Sequence, residues 1–148
     1  MKDGNKLIYL ATGVVITILF FVFRADLFEQ LYYSNAFSNE MYNTDTYAIV
    51  AALTIGITWL GAAVYYYVIN SVRFDRWYHW LAVAAVVTVL TPIVVYLVAA
   101  GQLAGTDYQG ELLTYSLLDT VWTFLLFVIA SFSMRWWSTN CRHTPFPQ

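Results

Sequence analysis

Four long apolar runs divide this chain, and polar segments hold nearly all of its charge. The first run, LIYLATGVVITILFFVF, covers about residues 7–23. The second, YAIVAALTIGITWLGAAVYYYV, covers about 47–68, and the third, the most aliphatic, about 80–100. The fourth, LLTYSLLDTVWTFLLFVIASFSM, covers about 112–134. A helix needs about 17–25 mostly apolar residues to cross hydrocarbon. Each run therefore predicts one transmembrane helix. The expected fold is all-α: a polytopic membrane protein in which residues 1–148 form a single antiparallel bundle of four transmembrane helices, with a loop at 24–46 and a tail at 135–148.

Two runs carry features that test this pattern. Lys2 and Lys6 before the first resemble the start of a signal peptide, but the run ends FFVFRADLF without a small-x-small cleavage site, so a retained helix is expected. Pro92 lies inside the third run. Thr88 and Thr91 are placed to satisfy the carbonyl it frees, which predicts a kink and not a break.

Charge orients the bundle. With the N-terminus in the cytoplasm, Lys2, Lys6, Arg73, Arg76, Arg135 and Arg142 fall inside and only Arg24 outside. The positive-inside rule then places both ends of the chain in the cytoplasm, across an inner (plasma) membrane. The loops assigned outside are acidic: Asp26, Glu29, Glu40 and Asp45 in one, Asp107 and Glu111 in the other. On this reading VRFDRWYHW (72–80) is a cytoplasmic hairpin. Arg73, Arg76, Trp77 and Trp80 are expected to anchor it at headgroup level, and Arg135, Trp136 and Trp137 to do so at the end of the fourth run. Tyr65, Tyr66 and Tyr67 would extend the same aromatic belt.

Candidate chemistry is sparse. Asp119 is the conspicuous residue, because a carboxyl inside a span is costly and invites a functional explanation. With Ser116, Thr120 and Thr123 it predicts an intramembrane polar contact between helices. Its alternative use is on an ion path, which normally needs polar groups from several helices. Ala52 and Gly56 form a small-xxx-small pair, and with Gly61 they predict close helix packing. His79 is expected to be structural, in contact with Asp75 one turn earlier. His79, Cys141 and His143 fall short of the about four ligands a structural zinc site uses. No catalytic, cofactor-binding or metal-binding set is therefore expected. The loop at 24–46 suggests an amphipathic helix over 25–33, then turn-forming residues, with exposed Tyr, Phe and Met offering a contact surface or capping the bundle. The tail, ending Pro145-Phe146-Pro147, reads equally as an extended docking peptide or a disordered end.

Composition narrows the function classes. The chain is 60% hydrophobic and 11% charged, against about a quarter charged in soluble domains. A net charge of −2 argues against a nucleic-acid partner. One cysteine excludes an intrachain disulfide. The two hairpins show no sequence repeat of the kind that marks many transporters. The expectation is a non-enzymatic structural or assembly subunit of a larger bacterial inner-membrane complex, such as a secretion or envelope machine. Its expected partners are membrane lipids and other membrane subunits or further copies of itself. The alternative is a small oligomeric channel or transporter with Asp119 on the path.

Overall fold

The computed structural model describes residues 3–145, and among these helix dominates and no strand forms. Helix α1 spans Asp3–Val22, α2 Arg24–Glu29, α3 Asn35–Asn43 and α4 Thr46–Ala63, which continues as a π-helical turn over Val64–Ile69. A 3-10 turn at Val72–Phe74 precedes α5, Trp77–Gln102; α6 is Gln109–Met134 and ends in a 3-10 turn, Arg135–Trp137. Four helices are long and apolar enough to cross a membrane: Gly4–Val22, Thr46–Ile69, Trp77–Gln102 and Gln109–Trp137. All four begin before their apolar runs, α1, α5 and α6 by about a turn and α4 by one residue. Hydropathy marks only the apolar part of a helix, whereas the backbone ladder runs on into polar residues that water can solvate.

Helix α6 is the hub of the packing. It lies against α1, α4 and α5; α4 and α5 also meet, and α1 touches α4 more sparingly. Each helix buries one stripe at spacings of three and four, as a 3.6-residue period requires. In α5 the stripe is Trp80, Ala84, Val87, Thr91, Val95 and Ala99; in α1 it is only Gly13, Thr17 and Phe20. The opposite faces are also apolar: Leu60 and Leu97 are both 65% exposed. Helices that are apolar all round belong in lipid or inside a larger protein.

Glycine sets two of the contacts. A methyl group on Gly61 would lie 2.5 Å from Val87 Cγ2, so α4 and α5 approach closely there. A methyl group on Gly13 would collide with Ser133, which brings α1 against α6. Of the expected packing residues, Ala52 and Gly56 instead face outward and Gly56 has nothing near it. Helix α5 runs continuously through Pro92. Thr91 donates its hydroxyl to the Val87 carbonyl at 2.8 Å, while the buried Thr88 hydroxyl has no partner among the described residues.

The segment 24–46 differs from expectation. The first helix stops at Glu29, and the supposed turn region SNAFSNEMYNTD forms a second helix, α3. Phe28, Phe37 and Met41 are buried against Tyr47 and Tyr115, so these side chains cap the core and do not form an exposed surface. Burial of Phe37 and Met41, four apart, stabilises a helix whose turn-forming neighbours disfavour it. Tyr33 and Tyr42 remain exposed.

The tail folds back onto the turn that joins α4 to α5. Thr139 donates its backbone N–H to Asn70 Oδ1 at 2.7 Å, and Asn140 Nδ2 donates to the Tyr65 carbonyl at 2.6 Å. His143 N donates to the Asp75 carbonyl at 3.2 Å. The tail is thus packed as far as Thr144; Phe146 and Pro147 of the expected docking peptide lie outside the described residues, as does Lys2.

Candidate functional site

The polar cluster expected around Asp119 forms between α4 and α6. Asp119 is fully buried at 0% exposure. Thr54, from α4, donates to its carboxyl with Oγ1 at 3.1 Å from Oδ2 and 3.3 Å from Oδ1. Thr123, one turn along α6, donates to Oδ2 at 3.4 Å. The Thr54 hydroxyl also lies 2.9 Å from the Val50 carbonyl, so its single proton serves two acceptors. No Lys or Arg pairs with Asp119 among the described residues. The Ser116 and Tyr115 hydroxyls on the same helix are buried and have no partner there. Thr120, expected in the cluster, instead turns its hydroxyl to the Leu117 carbonyl at 2.7 Å.

Sequence reading missed Thr54. The available signal was a pair of threonines, Thr54 and Thr58, on one face of an otherwise apolar run. Thr58 bonds only its own helix, to the Thr54 carbonyl at 2.7 Å and the Ile55 carbonyl at 2.9 Å. Choosing between the two requires the register of α4 against α6, which no single run contains.

At the opposite end of α6, the expected surface anchors divide. Arg73, Arg76, Trp77 and Trp137 are exposed. Trp80, Arg135 and Trp136 are buried within the chain, so their side chains pack against protein instead of facing outward. Trp80 donates its indole N–H to Ser131 Oγ at 3.1 Å and so ties α5 to α6. The Arg135 guanidinium lies over the rings of Phe132 and Trp136, at 4.0 and 3.9 Å from their centroids. Trp136 stacks on Tyr9 of α1, centroids 4.9 Å apart. Of the tyrosine belt only Tyr67 is exposed, and it donates to the Met134 carbonyl at 2.7 Å. Tyr65 is buried and donates to the Phe74 carbonyl at 2.7 Å. Aromatic-rich ends of apolar runs read alike whether the rings meet lipid or one another.

The histidines also part from expectation. Asp75 pairs with His143 at 2.8 Å and not with His79. The His79 ring packs on Phe74 and Tyr78, and its Nδ1 is buried without a partner among the described residues. Cys141 is buried, with Sγ 3.1 Å from the Ser138 carbonyl.

Apolar hollows flank α1 on both sides, and two of them lie beside its second half. One, of about 450 Å³, lies between α1 and α6 and is lined by side chains such as Ile16, Phe20, Phe23, Trp122, Leu125 and Ile129. The other, of about 210 Å³, lies between α1 and α4 beside Thr17, Ile55 and Trp59. Neither reaches Asp119. What the carboxyl can do in this setting is bridge helices. Comparison of the chain with protein-family models, with curated proteins and with solved structures returns no match.

Proposed function

We propose that the chain is a multi-pass inner-membrane protein, an antiparallel bundle with both ends in the cytoplasm, and that it serves as a non-catalytic structural or assembly subunit of a larger membrane complex, for example in secretion or envelope construction. Three helices, α4, α5 and α6, form a tight unit whose only buried carboxyl is consumed in a helix-to-helix contact. Helix α1 is different. It has the least buried of the four spanning segments, at 17%, and hollows on both sides. That loose packing is the observation that carries the reading: α1 and its flanks offer apolar, ring-lined surface that a neighbouring membrane subunit would cover.

The test is gentle extraction followed by mass measurement of the intact assembly. The proposal expects a complex of fixed stoichiometry containing other membrane subunits. A pure homo-oligomer that conducts ions, and ceases to do so in Asp119→Asn, would contradict it and favour the channel reading.

A further inference from the structure

The turn between α4 and α5, together with the folded-back tail, borders an open hollow of about 710 Å³ lined by Val72, Arg73, Asp75, Arg76, Trp77, Tyr78 and His143. Its size falls within the about 300–1,000 Å³ typical of small-ligand sites. We propose that it binds the phosphate headgroup of an anionic phospholipid. The proposal rests on the membrane reading above, because it places this turn at a bilayer surface.

Four observations converge on that ligand. Arg73 and Arg76 both line the cavity, and neither forms an ion pair among the described residues. Guanidinium groups match phosphate oxygens through paired N–H donors. The one acid in the lining, Asp75, is engaged: its Oδ2 lies 2.8 Å from His143 Nδ1, and its carbonyl accepts from His143 N at 3.2 Å. The tail therefore occupies the carboxylate that would otherwise face the arginines. The N-terminus of the 26-residue α5 opens at the same place with no side chain capping it, so its dipole adds positive potential. Finally, Trp77 and Tyr78 are exposed at the rim, 59% and 45%, where amphipathic rings sit at the level of lipid headgroups. A soluble anion would have no use for that apolar rim, whereas a lipid presents acyl chains beside its phosphate.

The experiment uses the full chain purified in a neutral detergent and titrated with short-chain phosphatidylglycerol, short-chain phosphatidylcholine or inorganic phosphate, with bound adducts counted by native mass spectrometry. Wild-type protein is expected to prefer phosphatidylglycerol and to ignore inorganic phosphate at the same concentration. One arginine near an anionic lipid surface is worth about fivefold in affinity, so Arg73→Gln with Arg76→Gln should weaken phosphatidylglycerol binding about thirtyfold. His143→Ala, which exposes Asp75 to the site, should weaken it about fivefold and leaves both arginines in place. Arg24→Gln, in α2, should change nothing. Equal affinity for the two lipids, competition by inorganic phosphate at lipid-like concentrations, or equal loss in the Arg24 variant would each overturn the proposal. Insertion of the same preparation into lipid nanodiscs separates the two levels. A chain that inserts without lipid preference sinks only the headgroup site; a chain that stays out sinks the membrane reading.

Discussion

Replacing Thr54 with Val removes the hydroxyl that joins α4 to Asp119 and leaves side-chain volume almost unchanged. The contact is buried, with donor–acceptor distances of 3.1 and 3.3 Å, and the remaining donor, Thr123, is at 3.4 Å. Interhelical hydrogen bonds inside membrane bundles contribute about 0.6 kcal/mol on average and about 1.7 at most. Leaving a buried acceptor short of a donor costs a further about 1–3 kcal/mol. Thr54→Val should therefore destabilise the bundle by about 2 kcal/mol. Asp119→Leu alone should cost about 1 kcal/mol, because the Thr54 hydroxyl then belongs wholly to the Val50 carbonyl at 2.9 Å and only the long 3.4 Å bond from Thr123 is lost. The sign of the double variant is the decisive quantity: in the Thr54→Val background, Asp119→Leu should restore about 1–2 kcal/mol by removing the unmet demand. Reversible unfolding in mixed micelles, titrated with a denaturing detergent and followed by circular dichroism, measures all four proteins. Additive losses would refute the idea that Asp119 acts through Thr54.

Gly61→Ala should destabilise by about 1–3 kcal/mol through its clash with Val87, and Val87→Ala should rescue much of the loss, whereas Gly56→Ala should be silent; the same unfolding assay decides. Asn140→Ala removes the bond to the Tyr65 carbonyl and should release the tail, seen as faster proteolysis after residue 137 and a stability loss of about 1 kcal/mol. Ser131→Ala removes the hydroxyl that accepts the Trp80 indole N–H and should cost about 1 kcal/mol, with a change in tryptophan emission.

The long helices were legible because an apolar run of membrane length has few alternatives, and four runs gave four such helices. Asp119 was legible for the converse reason, as a carboxyl where one is costly. What was hidden depends on register and on non-local contact. Thr54 resembles Thr58 until α4 is set against α6. Trp80, Arg135 and Trp136 carry the composition of a surface anchor, and only the return of the tail and the approach of α1 show that they are covered. Helix α3 was hidden because Asn and Ser favour turns locally, while the burial of Phe37 and Met41 that overrides them is tertiary. Gly13 gave no local signal, since its partner Ser133 is 120 residues away along the chain.

The central claim, a bundle crossing the membrane with its arginine-bearing turn inside, is tested most directly by cysteine labelling in intact bacterial cells. In a Cys141→Ser background, Tyr33→Cys places a thiol at an exposed site between α2 and α3, and Val72→Cys places one at an exposed site beside Arg73. A membrane-impermeant maleimide should modify the first in intact cells and the second only after permeabilisation. Labelling of both in intact cells, or of Val72→Cys alone, would contradict it.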